Sequence, residues 1–210
     1  MTRSRRPRLT AGRLLGMDRS GPAPAATLAG QPLRPWTIPN AIGYLRLALI
    51  PVFVVVAWQT DGVGTWPAVL FAVISWGDYA DGMAARLTGQ YSRMGALLDP
   101  LVDRLLVVAG VVVCWEFDLI PRWLLAVLVA RELAMLALAP LALRRGVELR
   151  INWWGRLGVW PAMSSLFFAL CGLRSVATVL LAIGVAMLLI ASAAYVREAA
   201  AQLRIGGTST

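Results

Sequence analysis

Apolar residues in this chain fall into long, nearly unbroken runs, without the one-sided pattern of a water-soluble helix. Six runs are candidate membrane spans: Ile42–Trp58, Trp66–Leu87, Ala96–Trp115, Trp123–Leu143, Leu157–Leu170 and Val176–Val196. A spanning helix needs about 20 mostly apolar residues, so the fifth run qualifies only if residues around Gly155 extend it. Between residues 32 and 40, Trp36 and Ile38 beside Arg34 predict a short segment lying at the membrane interface, with Pro39 and Asn40 signalling the start of the first span. Residues 1–31 read as a basic, Pro/Ala/Gly-containing flexible tail and 201–210 as a flexible end. The expected fold is an all-α membrane protein of six transmembrane helices forming one domain over 41–200. Loops this short leave no separate soluble catalytic domain, so any chemistry must sit at helix ends or inside the bundle.

Composition supports this reading. The 210 residues are 59% hydrophobic, above the roughly 45 to 50% of a soluble domain. The formal charge of +9 is carried by arginine alone, with no lysine or histidine. Arginines crowd before the first run, between the second and third, after the fourth and after the sixth, whereas the alternate loops hold Asp61, then Glu116, Asp118 and Arg122, then Arg174. The positive-inside rule then puts both termini and the loop 88–94 on the cytoplasmic side of the inner membrane. The charge therefore expresses topology and attraction to anionic lipid headgroups, not nucleic-acid binding. Trp58, Trp66, Trp115, Trp123, Trp153 and Trp154 sit near predicted helix ends as an aromatic belt. Cys114 and Cys171 have no ligand spacing and read as packing residues, a cleavable signal peptide is not expected, and no internal repeat recommends a transporter.

The informative chemistry is acidic. Asp78 and Asp81 are three residues apart, and Asp99 and Asp103 four apart, so each pair shares one face of its helix. The short connection from Leu87 to Gly95 makes the two helices antiparallel neighbours, with four carboxylates converging near the cytoplasmic boundary. Such groups repel one another and tolerate lipid poorly unless something positive lies between them. Divalent cations answer that need, and oxygen-only ligands favour magnesium or manganese over zinc. Pairing with Arg86 or Arg104, or an ion pathway, is the alternative. Gly82, Ala85 and Gly95 either let helices approach closely or leave a slot for a flat ring, with Arg86 in reach of a phosphate.

These residues also carry a resemblance. Asp78, Asp81, Gly82, Ala85, Arg86, Gly95, Asp99 and Asp103 fill every fixed position of the signature Asp-x2-Asp-Gly-x2-Ala-Arg-x8-Gly-x3-Asp-x3-Asp, and the chain resembles the CDP-alcohol phosphotransferases. That resemblance implies six transmembrane helices around a polar cavity open to the cytoplasm, assembled as a homodimer. It implies that Asp78, Asp81, Asp99 and Asp103 bind magnesium or manganese, as two ions, and that Asp103 is the general base. It places Asp78, Asp81, Gly82, Ala85, Arg86 and Gly95 around the nucleotide of CDP-diacylglycerol.

The acceptor is read from weaker signals. Thr37-Ile38-Pro39-Asn40, Arg46 and Pro51 resemble the start of bacterial phosphatidylglycerophosphate synthases and related cardiolipin synthases, with Asn40 closing the nucleotide end. Arg46 either contacts the acceptor or snorkels to the interface. Arg131-Glu132 is similar to a pair in glycerophosphate-using members, so Arg131 binds an acceptor phosphate or is paired internally. Arg156 stands at the lysine of a Gly-Lys motif, but Val159 replaces the threonine that usually follows; Arg144, Arg145 and Arg150 surround the cytoplasmic mouth. Glycerol 3-phosphate is the first expectation, with phosphatidylglycerol, giving cardiolipin, and inositol phosphate as alternatives. From a different class, a divalent-cation transporter would also use clustered acids.

Overall fold

The computed structural model describes residues 35–88, 92–144 and 153–206, and the fold is all-α. The helices are α1 (Ile38–Gln59), α2 (Thr65–Thr88), α3 (Arg93–Glu116), α4 (Arg122–Arg144), α5 (Trp153–Leu170) and α6 (Arg174–Gly206). Each contains one expected span. The expected tail 1–31, the start of the interfacial segment and the last four residues lie outside the described residues.

Helix boundaries differ from the expectation where polar caps, not apolar content, fix them. The α1 helix begins four residues early, because Thr37 Oγ1 accepts the N–H of Asn40 at 3.3 Å and so caps the helix. Pro39 and Asn40 thus lie inside the first turn, where a missing proline N–H costs nothing. The α5 helix starts at Trp153, before Gly155, but among the described residues its apolar part remains Leu157–Leu170, shorter than a membrane span. The α6 helix continues ten residues past Val196, carried by the good helix formers Ala, Gln, Leu and Arg.

Two of these helices are long and apolar enough, among the described residues, to cross a membrane: α1, and α6 over Arg174–Glu198. In α2 and α3 the apolar runs are interrupted by the acidic residues that carry the candidate chemistry, and in α4 by Arg131 and Glu132. Large apolar side chains nonetheless lie on the outside of every helix, for example Leu45, Val73, Val108, Leu136, Trp160 and Ile183. Helices apolar on both their buried and their exposed sides suit a lipid surrounding.

Residue contacts divide the chain into two units. The first comprises the described residues through Val56 together with Val69–Ala109. Its core includes Phe53 of α1 and Phe71 of α2, whose rings stack at 5.7 Å with a 58° tilt, beside Ile74, Val102 and Leu106. The second comprises Ala57–Ala68 and the described residues from Gly110 onward. There α5 and α6 pack closely: a Cβ at Gly184 would stand 2.8 Å from the backbone nitrogen of Ala162. Cys114 is buried in this unit and Cys171 is exposed in the turn before α6, both as free thiols.

Replacing Phe53 with Ala is expected to destabilise the protein by about 3–5 kcal/mol, since its ring is fully buried and the space cannot collapse around a methyl group. Denaturant unfolding in detergent micelles, against the unaltered chain, measures this.

Candidate active site

Two of the acids of the first unit, Asp78 and Asp81, meet one arginine. Arg46, on the second turn past the start of α1, has a side chain only 3% exposed, so it does not snorkel to an interface. Its Nε donates to the carbonyl of Ile74 at 2.9 Å, and its Nη1 donates to Asp81 Oδ2 at 2.8 Å. The same Nη1 lies 3.5 Å from Asp78 Oδ1. Nη2 is buried and has no hydrogen-bond partner among the described residues. The guanidinium reaches these acceptors across Gly77, where a Cβ would stand 2.6 Å from Arg46 Cδ. Only a residue without a side chain leaves room for it there.

The acids differ in environment. Asp81 is 4% exposed and Asp78 59%, although both project from neighbouring turns of α2. Asp99, on α3, is repelled by the charges of Asp81 and Asp78 and attracted by Arg46, which brings it into the same electrostatic neighbourhood. Asp103 lies one turn further along α3 and is exposed. Among the described residues no group of three or more acidic side chains is gathered tightly enough to hold a metal ion as the side chains stand. The guanidinium faces Asp78 and Asp81 instead. The donor set still fits a divalent cation in its chemistry. Three carboxylates against one guanidinium leave excess negative charge, and hard oxygen donors match magnesium or manganese.

Gly82 and Gly95 have opposite surroundings. A Cβ at Gly82 would meet no atom within 4 Å among the described residues, so packing does not demand a glycine there. A Cβ at Gly95 would stand 2.8 Å from Asn40 Oδ1 and 3.3 Å from Ser92 Oγ, so packing does demand one. Ala85 is half-buried on α2. The side chains of Arg86, Arg144 and Arg156, and all of Arg145 and Arg150, lie outside the described residues.

In the second unit Arg131 donates from Nε to Ser192 Oγ at 3.0 Å and pairs through Nη1 with Glu132. Internal pairing of Arg131 is therefore observed, with a serine of α6 as an added partner. Gly77, Ser92 and Ser192 were not singled out from sequence. Ser92 alone had a legible signal, a serine directly before an apolar helical run.

An all-α fold with buried acidic and guanidinium groups between apolar helices defines a membrane-type protein built to manage concentrated negative charge. The comparisons agree: residues 36–193 match the CDP-alcohol phosphatidyltransferase family, and the chain belongs to it. A protein of Mycobacterium tuberculosis assigned as a cardiolipin synthase is 42% identical over 113 residues, 53% of each chain. The chain thus spans about half the length of these mycobacterial relatives. The CDP-diacylglycerol–glycerol-3-phosphate 3-phosphatidyltransferase of Bacillus subtilis is 33% identical over 138 residues, 60% of this chain and 72% of that protein. The CMP-forming cardiolipin synthase of Streptomyces coelicolor is also 33% identical over 138 residues, 60% and 61% of the two chains.

The Arg46–Asp81 contact predicts a specific pattern of stability. With metal chelated, Arg46→Gln leaves Asp81 as a buried unpaired charge and is expected to destabilise by about 3–5 kcal/mol, whereas Asp81→Asn leaves Arg46 its weaker contact with Asp78 and should cost less. The double variant should lose clearly less than the sum of the two, which a double-mutant cycle on unfolding in detergent measures.

Proposed function

We propose that the chain transfers a phosphatidyl group from CDP-diacylglycerol to an alcohol, with release of CMP, and that the alcohol is phosphatidylglycerol, giving cardiolipin. The observation that carries the reaction type is the full family signature with two of its acids, Asp81 at 2.8 Å and Asp78 at 3.5 Å, held at Arg46 and with Asp99 under the influence of their charges. In this reading the chain crosses the inner membrane six times, keeps its termini and site on the cytoplasmic side, and works as a homodimer.

Asp78, Asp81 and Asp99, with Asp103, are the residues that would hold magnesium or manganese. Such ions, when bound, neutralise the diphosphate and the charge that develops on leaving CMP. The residues then divide the remaining work. Asp103, exposed and one turn past Asp99, accepts the proton of the acceptor hydroxyl. The hydroxyl oxygen forms a bond to the lipid-bearing phosphorus as the bond from that phosphorus to the bridging oxygen breaks, and CMP carries the bridging oxygen away. Ala85 and Arg86 border the nucleotide, Asn40 and Gly95, packed against each other, back that end of the site, and the space left at Gly82 among the described residues suits a flat base.

The choice of phosphatidylglycerol over glycerol 3-phosphate, the first expectation from sequence, is supported by the cardiolipin synthases among the relatives and by Val159 in place of a threonine. The Bacillus subtilis relative supports glycerol 3-phosphate as the second reading. Under either reading Arg131 is the acceptor-side arginine of α4, with Arg144 and Arg156 as further candidates.

Purified protein given CDP-diacylglycerol and each acceptor separately should release CMP with phosphatidylglycerol and yield cardiolipin by mass. Phosphatidylglycerophosphate formed from glycerol 3-phosphate alone would establish the second reading, and metal flux into sealed vesicles without CMP release would favour a transporter. Chelation should abolish turnover and added magnesium or manganese restore it. Asp78→Asn is the clean variant, because its exposed carboxylate can be lost without stranding Arg46. It is expected to lower turnover by about 100-fold or more, a loss of roughly 3 kcal/mol in transition-state stabilisation, with unfolding unchanged.

A further inference from the structure

The two acid-bearing helices of the first unit are both referenced to α1, by different residues. Arg46 ties α1 to α2, as described. The tie to α3 is a buried polar contact. Ser92 Oγ donates to Asn40 Oδ1 at 2.9 Å, and the same oxygen accepts the N–H of Gly95 at 3.0 Å. Asn40 Nδ2 donates in turn to the carbonyl of Pro35 at 3.0 Å. Asn40 and Ser92 are 1% and 7% exposed, so neither group exchanges these partners for water.

Ser92 therefore does two things at once. Its acceptance of the Gly95 N–H caps α3 in the ordinary way. Its hydroxyl proton, which capping does not need, goes to α1. The neighbouring contacts make this a register device. Gly95 is pressed against Asn40 with no room for a Cβ, and a Cβ at Gly43, one turn along α1, would lie 3.7 Å from Leu98 Cδ1. Gly95, Asp99 and Asp103 follow one another at four-residue steps and so line one face of α3. Locking Gly95 against Asn40 fixes where along α1, and at what rotation, that acidic face begins.

We infer that Ser92 is a positioning residue for the acidic site: its hydrogen bond to Asn40 sets the register in which α3 presents Asp99 and Asp103. The inference rests on the reading that these aspartates hold divalent cations. Asn40, both ends of its amide engaged, acts as the receiver of this contact on α1.

The test is manganese binding by the full chain in detergent, without lipid substrates, followed by electron paramagnetic resonance, alongside thermal unfolding. Ser92→Ala removes cap and contact together. Ser92→Gly retains a serviceable cap but has no hydroxyl to give to Asn40, and it is the deciding variant should Ser92→Ala fail to fold. Ser92→Thr keeps both functions. Ser92→Gly is expected to weaken manganese binding by about 10-fold, as loss of a group that orients ligands does, with little change in melting temperature, and Ser92→Thr to restore it. Manganese binding unchanged in Ser92→Gly would overturn the inference and leave Ser92 as a helix cap. Failure of the unaltered chain to bind manganese would overturn the metal reading itself, and this inference with it.

Discussion

An arginine with almost no exposure lies in the first apolar helix, and its partner acid is nearly as deeply buried. Either charge alone would be very unfavourable in a lipid-bounded interior; together, with the Ile74 carbonyl taking a further donor, they become tolerable. The consequence is geometric more than energetic. A buried pair contributes little net stability, yet each partner dictates where the other must be. That requirement joins α1 to α2, makes Gly77 obligatory, and leaves Asp78 half a step away at 3.5 Å, exposed enough to turn toward a ligand.

The same pair offsets part of the charge of an acid-rich site. Arg46 supplies one positive charge where Asp78, Asp81 and Asp99 supply three negative ones. The balance is partial, so the acids remain attractive to a divalent cation. The guanidinium keeps the carboxylates of Asp78 and Asp81 from dispersing. Its buried Nη2 has no hydrogen-bond partner among the described residues.

The fold was legible because spanning runs of apolar residues need no tertiary information: each observed helix contains one predicted run. Its ends were less legible. Thr37 and Ser92 decide where α1 and α3 start through single hydroxyls, and hydropathy is blind to a hydroxyl. The acidic residues were visible through their spacing, since three- and four-residue steps fix a helical face. The role of Arg46 was not visible, because its partners are 28 to 35 residues away and only the fold brings them to it. Glycine shows the limit most clearly. Gly82, Gly95 and Gly77 look alike in sequence, but the first borders open space, the second carries a hydrogen-bonded asparagine and the third an arginine stem.

The setting of Arg131 bears on the acceptor. Its charge is already met by Glu132 and its Nε by Ser192. A small phosphate monoester carries about 1.5 to 2 negative charges at neutral pH and is held largely through that charge and its hydroxyls. A guanidinium compensated by its own neighbour offers such a ligand little. A phosphodiester lipid carries one charge and brings acyl chains whose attachment the apolar helix surfaces provide, so it asks less of the arginine. Under the proposed reading, an arginine so compensated is compatible with an acceptor that asks little of its charge.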